Sequence, residues 1–401
     1  MTEIDAEKQK NSRALMWTIL LIALVQMAQP AITPGIDQIA TDVFPEWSLQ
    51  TIQTVMSLPS VMSIFAGVIT AILVGFGLAT KKALVVFGLA LMVVTGIAAF
   101  VLNTRFWQLI VLNLILGAGF GTFIPHAQSI VFDSFDEKMR QFISGVQFSF
   151  INGGGIIMSV VGGFLATIVW YGGYLVMLMA LPVLIVAWIV IPKGERIRPR
   201  SSGSKGAKLP KDVYYHAVLV FLFIMLHNVG PINLSTHIIN GNMGDTATTG
   251  IATALMMIGG VVSGMLFPKL STVFRDNIFP IAFVLQFIAF SMLNLFSYSL
   301  SMTLAAMFIS GTSTSLFIPR CIFNVSNLTE PSNSATASTL ISSVAAGSGG
   351  FLSPVIITNL TLAFGGDSTR FRYQFTAIVC LILAGLLLMN NIRRQRKTVP
   401  A

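Results

Sequence analysis

Long apolar segments recur from one end of this 401-residue chain to the other, and they restrict its fold more than any other feature. Each is about 20 residues or longer, the length that an α-helix needs to cross the hydrocarbon core of a bilayer. They are too long and too uniformly apolar for the alternating strands of a membrane β-barrel. Only 10% of the residues are charged, against about 25% in ordinary soluble domains. The sequence therefore predicts an all-α membrane protein, embedded in the lipid bilayer, with twelve spanning helices at roughly 14–36, 49–76, 83–101, 107–132, 142–168, 170–192, 213–239, 248–272, 277–298, 301–327, 334–363 and 371–392.

The basic residues are concentrated in alternate loops, and this pattern indicates how the helices are oriented. If both termini are cytoplasmic, 20 of the 24 lysines and arginines fall in cytoplasmic segments. Only Arg105, Arg370 and Arg372 then lie outside, in agreement with the positive-inside rule. We therefore expect a multi-pass protein of the cell membrane with cytoplasmic termini. The net charge of +9 is interpreted as a topology signal and not as a surface for nucleic acid.

A basic segment rich in Gly, Ser and Pro, residues 193–212, interrupts the series of apolar segments. Its composition predicts a flexible cytoplasmic linker. The linker divides the chain into an N-terminal six-helix bundle, residues 14–192, and a C-terminal six-helix bundle, residues 213–392. Binding to anionic lipid headgroups is an alternative role for this segment.

An internal repeat relates the two predicted bundles. The tripeptide Phe-Ile-Pro occurs at 123–125 and again at 317–319, which is 194 positions later. Toward the N-terminus the shift grows to 201, where Pro30 corresponds to Pro231. One six-helix unit has therefore been used twice, and the shared proline predicts a kink in the fourth and tenth helices. The residue after that proline differs, because the first copy has His126 and the second has Arg320.

Two parallel six-helix repeats joined by a basic loop resemble the major facilitator superfamily of transporters. The loop "GFGLATKKALVVFG" keeps the basic pair Lys81 and Lys82 of that family's signature but has no Asp. Asn113 in "NLILGAG" stands where the family commonly has Arg, and Met158-Ser159 replaces the Gly-Pro of proton-driven drug antiporters. The segments "FPEWSLQTIQTVMSLPSVMSIFAG" and "GSGGFLSPVI" are similar to a branch that includes bacterial bile-acid transporters and, more remotely, organic-acid exchangers. The resemblance implies a central cavity lined by the first, fourth, seventh and tenth helices.

Charged side chains are rare within the predicted spans, because a charge at the bilayer centre costs from about 3 to more than 10 kcal/mol. Arg320 is therefore a candidate functional residue, and Asn324 lies one turn further along the same helical face. Alternatively, Arg320 extends toward the cytoplasmic interface or bonds backbone carbonyls. The helices that the resemblance places around the cavity also carry Gln26, Gln29, Asn113, His126, His227 and Asn228.

Other polar and small residues within the spans are predicted to serve helix packing. His126 and His227 would alternatively hydrogen-bond neighbouring helices, and most of Gln147, Asn152, Gln286 and Asn294 are expected to do so. The glycines of "GAGFG", residues 117–121, lack the preceding strand that a nucleotide-binding loop requires. They are instead expected to let neighbouring helices approach closely.

These features predict a secondary active transporter of an organic anion, a carboxylate, by alternating access. Arg320 would be the main counter-charge, because its planar guanidinium can hold a carboxylate bidentately, with His126 and His227 as secondary ligands. Coupling to a proton or to a counter-anion, or downhill export, would fit. The alternatives are proton-driven multidrug efflux, for which Asp37 is the candidate acid, and a non-transporting membrane sensor with the same fold. We expect no cofactor, no metal site and no enzymatic activity.

Overall fold

A computed structural model of the protein describes residues 3–32, 39, 43–47, 49–193, 209–244, 246–366 and 368–398. These residues form helices and contain no strand, which confirms the predicted all-α membrane fold. Eleven stretches among them are long and apolar enough to span a membrane. One of these, Thr248–Leu295, has 48 residues and contains two of the twelve predicted spans. Asp37 and residues 194–208 of the predicted linker lie outside the described residues.

Three of the predicted spans are each built from two shorter α-helices. One is interrupted by a 3-10 helix at Val176–Met179, one by a π-helix at Leu340–Ala345, and one at a single residue, Asn228. The α-helices are α1 Glu3–Gln26, α2 Leu49–Gly75, α3 Lys81–Ala98, α4 Phe106–Ser134, α5 Glu137–Ile168, α6 Gly172–Leu175, α7 Ala180–Val190, α8 Lys211–His227, α9 Val229–Asn240, α10 Thr246–Phe274, α11 Ile278–Leu295, α12 Leu300–Leu328, α13 Ser334–Thr339, α14 Ala346–Ala363 and α15 Thr369–Thr398.

Side-chain caps explain where two of these helices begin. The Thr80 hydroxyl accepts a hydrogen bond from the backbone N–H of Ala83 at the start of α3. The Asp136 carboxylate accepts one from Met139 at the start of α5, at 2.9 Å. Each cap satisfies a backbone N–H that has no partner within the helix, and so fixes the end of the preceding loop.

Large apolar side chains remain exposed along the helices. On α5, for example, Val160 is 68% exposed and Phe164 is 67% exposed. Apolar surface of this extent is unfavourable in water and favourable against lipid acyl chains. The exposed faces therefore agree with the hydropathy of the sequence, and the protein is an integral membrane protein.

The chain forms two compact units, each of which has its own packing. The first comprises Met1–Ile143, Phe150–Ala217 and Val325–Ser348, and the second comprises Ser144–Ser149, Val218–Asn324 and Gly349–Ala401. The division into six-helix bundles at 14–192 and 213–392, with the linker 193–212 between them, stays a prediction.

Close approach of α2 and α4 holds the first unit together. A Cβ atom on Gly117 would lie 2.5 Å from the Pro59 carbonyl oxygen, and one on Gly121 would lie 2.1 Å from that of Ser63. No side chain fits at such distances, so glycine is required for the two backbones to meet. The prediction that "GAGFG" serves helix packing is confirmed.

Aromatic stacking organises the interior of the second unit. Phe317, from the second Phe-Ile-Pro tripeptide, stacks on Phe223 of α8 with ring centroids 3.9 Å apart. The edges of Phe279 and Phe283 of α11 pack against Phe317 at 5.3 and 5.5 Å. These contacts fix α12 against α8 and α11, and so position the polar residues that flank Phe317 in sequence.

Candidate functional site

Interruptions in two helices lie at positions that the internal repeat relates. Helix α1 ends at Gln26 and is followed by a 3-10 turn, Gln29–Ala31, while α8 ends at His227 and α9 begins at Val229. Pro30 and Pro231 follow these ends by four residues, and proline has no N–H to donate to the carbonyl four residues earlier. The predicted first span, 14–36, and seventh span, 213–239, are thus not continuous helices. Discontinuous helices of this kind commonly form the binding sites of membrane transporters.

His227, at the interruption between α8 and α9, is the centre of a buried polar cluster in the second unit. Its Nδ1 atom lies 2.9 Å from Gln286 Nε2 of α11 and 3.1 Å from the hydroxyls of both Ser310 and Thr314 of α12. Ser310 donates to Gln286 Oε1 at 3.1 Å, and Thr314 donates to the Ser310 carbonyl at 3.1 Å. The cluster therefore ties the interrupted helix to two neighbouring helices.

The donors and acceptors of this cluster determine which form of His227 it holds. The structure orients the Gln286 amide with Nε2 toward the imidazole and Oε1 toward the Ser310 hydroxyl. Nδ1 must then be an acceptor, which places the proton of the neutral ring on Nε2. Nε2 lies 3.5 Å from the Thr314 hydroxyl. The cluster thus uses Nδ1 and leaves Nε2–H as a weakly engaged donor.

A second polar cluster lies in the first unit, around Met56 of α2. Gln29 Nε2 donates to the Met56 carbonyl at 3.0 Å. Asn113 Nδ2 of α4 donates to the Tyr174 hydroxyl at 2.8 Å and lies 4.0 Å from Met56 Sδ. Asn113 Oδ1 and, near the end of α1, Gln26 Nε2 are buried with no hydrogen-bond partner among the described residues. These two atoms retain hydrogen-bonding capacity.

His126 follows the proline of the first Phe-Ile-Pro tripeptide and is completely buried in the first unit. Neither of its ring nitrogens has a hydrogen-bond partner in the part of the chain that the structure describes. A buried polar group without a partner lowers stability by about 1–3 kcal/mol. Such a group in a native structure calls for an explanation, which includes strain, a functional role, or a bound water or ion.

Arg320, the counterpart of His126 in the repeat, is buried to all but 8% of its surface in the second unit. Nη1 donates to the Ser271 hydroxyl and Nη2 to Asp276 Oδ1, each at 2.9 Å. Asn324 Nδ2 donates to the same Asp276 oxygen at 3.1 Å. The guanidinium carbon also lies 5.3 Å from the centroid of the Phe323 ring. Arg320 and Asn324, whose spacing predicts one helical face, both bond the same oxygen of Asp276, a carboxylate that the sequence analysis did not single out.

Residues 12–230 match the Major Facilitator Superfamily. The chain belongs to this family. No curated protein sequence matches it. The human organic anion transporter MFSD10 (TETRAN) has a similar structure, with 14% identity, a TM-score of 0.72, and coverage of 93% of this chain and 99% of that one.

Two further solved structures are similar to this chain. The proton:xylose symporter XylE shares 13% identity at a TM-score of 0.69, and the match covers 94% of this chain and 95% of the symporter chain. A bacterial homologue of the iron transporter ferroportin shares 14% identity at a TM-score of 0.67, with 94% and 98% coverage. The resemblance to the superfamily is confirmed, and members of this family are transporters. Since these neighbours are named for an anion, a sugar and iron, the substrate class must be argued from the residues of this chain.

The candidate residues of the second unit lie at two levels of one helix. Thr314 and Arg320 are six residues apart on α12, which is about 9 Å along a helix. The His227 cluster and the Arg320 pair thus occupy two levels of the second unit, while Gln29 and Asn113 meet around Met56 in the first. Sequence reasoning anticipated the interhelical bond of Gln286, and this prediction is confirmed. It missed Ser310 and Thr314, whose spacing of four residues on one helix was the available signal.

Proposed function

We propose that this protein is a secondary active transporter of an organic anion, a carboxylate, which works by alternating access. The observation that carries the proposal is the environment of Arg320. A permanent cation is buried within a spanning helix, and its carboxylate partner, Asp276, has a side chain that is 56% exposed. A buried cation is expensive unless it is paired or serves a function. A guanidinium suits a carboxylate better than an ammonium does, because its planar fork can form two parallel hydrogen bonds.

The histidines and amides would supply neutral contacts for the remainder of the substrate. His126 offers two unpartnered ring nitrogens, and His227 offers Nε2 while Gln286 holds its Nδ1. Asn228, at the interruption after His227, donates to the Ile224 carbonyl at 3.0 Å and is half-buried. Similarity to the fold of an organic anion transporter supports the proposal at the level of architecture.

Coupling follows from the charge of the proposed substrate. Moving a monovalent anion inward against an inside-negative potential costs about 2.3 kcal/mol per 100 mV. Uptake would therefore require a proton or an exchanged anion, whereas export would run downhill. We also propose, from the distribution of basic residues, that the protein lies in the cell membrane with both termini cytoplasmic.

Flux measurements in proteoliposomes test the proposed function. Radiolabelled benzoate, succinate and cholate, with a sugar and a cationic dye as comparisons, would be followed under imposed pH and voltage gradients. We expect carboxylate flux that falls at least tenfold in Arg320→Ala. Arg370→Ala is the matched control, because Arg370 is exposed and its side chain bonds only the Asn294 amide among its described contacts. Dye flux without carboxylate flux would favour multidrug efflux, and no flux of any solute would favour a sensor.

A further inference from the structure

The guanidinium of Arg320 has an unfilled hydrogen-bond donor. Nη1 and Nη2 are used by Ser271 and Asp276, but Nε is buried and has no partner in the part of the chain that the structure describes. Nε–H and one Nη2–H point in parallel from the same edge of the planar group. That edge is one of the two on a guanidinium that can hold both oxygens of a carboxylate in a bidentate pair. Asp276 accepts from Nη2, and the Nε donor stays open.

Asp276 lies on a short turn between two α-helices and not within either of them. It belongs to the 3-10 turn Arg275–Asn277 between α10 and α11, and its side chain is 56% exposed. A second bond, from Asn324 Nδ2, helps to hold its carboxylate toward Arg320. An exposed carboxylate gives up little solvation to form this pair and regains it on turning away, so the pair with Arg320 is open to exchange with another anion.

Space for an exchanging anion is present beside this turn. A cavity of about 500 Å³ in the second unit is lined by Thr272, Arg275, Asp276, Asn277 and Asn391, together with Val273 and Phe274. Its walls thus include one further cation and two amides. The cavity borders Asp276, whose carboxylate also contacts the buried guanidinium. Arg320 does not itself line the cavity, so an anion there would reach the guanidinium by taking the place of the Asp276 carboxylate.

We propose that Asp276 is a resident stand-in for the substrate carboxylate. A carboxylate that enters from the cavity binds Nε and Nη2 of Arg320 bidentately and releases Asp276 to solvent. When the carboxylate leaves, Asp276 returns and the cation is never left without an anion. This inference rests on the proposed anion transport and adds that the binding group is occupied by the protein itself. The apparent affinity is then the intrinsic affinity multiplied by the fraction of molecules in which the Arg320 guanidinium is not paired with Asp276.

Equilibrium binding to the full-length protein in nanodiscs tests the exchange. The probes are radiolabelled benzoate and cholate, at constant pH and low chloride. We expect Asp276→Asn to lower the Kd about tenfold, because the amide keeps a hydrogen bond to Nη2 but no longer competes as an anion. Asp212→Asn, which removes an exposed carboxylate from the first turn of α8 in the other unit, should leave the Kd unchanged. Arg320→Lys should weaken binding despite its charge, and Asp276→Asn should then give no gain in that background.

A second variant keeps the inference testable if Asp276→Asn folds poorly. Asn324→Ala removes a bond that holds Asp276 toward the guanidinium, so the inference expects a Kd lowered about two- to threefold. A raised Kd in this variant would instead make Asn324 a direct ligand and would overturn the stand-in role. Binding by the wild type with an unchanged Kd in Asp276→Asn would overturn the inference and leave anion transport standing. Absence of carboxylate binding in wild type and variants alike would overturn both.

Discussion

The imidazole Nδ1 of His227 lies 2.9 Å from the side-chain nitrogen of Gln286, at the residue where the seventh spanning segment is interrupted. The bond joins the end of α8 to α11 inside the second unit. The hydroxyls of Ser310 and Thr314 each lie 3.1 Å from the same nitrogen, so other donors are available to the imidazole if Gln286 is removed. If His227 is removed, the Gln286 amide nitrogen keeps only a long contact to the Ser310 carbonyl, at 3.5 Å.

This asymmetry predicts unequal effects of two substitutions on stability. His227→Leu strands the buried Gln286 amide and should lower the free energy of unfolding by about 1–3 kcal/mol. Gln286→Leu should cost about 1 kcal/mol or less, since Ser310 can donate to Nδ1 instead. Thermal unfolding of the purified variants in one detergent measures the difference. Equal losses would mean that the hydroxyls do not replace the amide.

The interruption of the seventh span depends on Pro231, and its removal should slow transport. Pro231→Ala restores an N–H that can bond the His227 carbonyl, which favours a continuous helix by about 1 kcal/mol. We expect higher thermal stability together with carboxylate flux reduced at least threefold. Pro280→Ala is the control, because Pro280 lies in the first turn of α11, where the backbone N–H needs no helical partner. Unchanged flux in Pro231→Ala would show that the interruption is not needed for turnover.

Two adjacent glycines of α5 should respond oppositely to a methyl group. A Cβ on Gly154 would lie 1.9 Å from the Leu24 carbonyl oxygen of α1, whereas one on Gly153 would meet nothing within 4 Å. Gly154→Ala should therefore destabilise the first unit by about 1–3 kcal/mol or prevent folding. Gly153→Ala should be tolerated or slightly stabilising, since alanine favours a helix over glycine. Yields after size-exclusion chromatography and unfolding temperatures would separate the two.

Cysteine labelling tests the predicted orientation in the membrane. The two native cysteines, Cys321 and Cys380, are completely buried, so an impermeant maleimide should react only with introduced ones. Ser202→Cys in the basic linker should react only from the cytoplasmic side. Tyr298→Cys, at a residue that is 78% exposed between α11 and α12, should react only from outside. Reversed accessibility would show that the predicted orientation in the membrane is wrong and would not contradict the fold.

Composition and pattern were sufficient for the architecture of this protein. Apolar segments of membrane-spanning length form α-helices in lipid, because an α-helix bonds each backbone N–H and C=O within its own segment. The helices, the role of "GAGFG" and the superfamily were therefore predictable. The repeat also located the equivalent prolines, Pro30 and Pro231, although the helix interruptions beside them were not anticipated.

Tertiary structure decided which polar groups meet. Arg320 and Asp276 are 44 residues apart, and His227 and Gln286 are 59 apart, so no local spacing joins either pair. Only the packing of α8, α10, α11 and α12 brings them within hydrogen-bonding distance. The sequence determined that a cation is buried in the membrane, since hydropathy is a property of each segment alone. Its partner, and the donor left unfilled beside that partner, depended on directional contacts between segments that hydropathy does not encode.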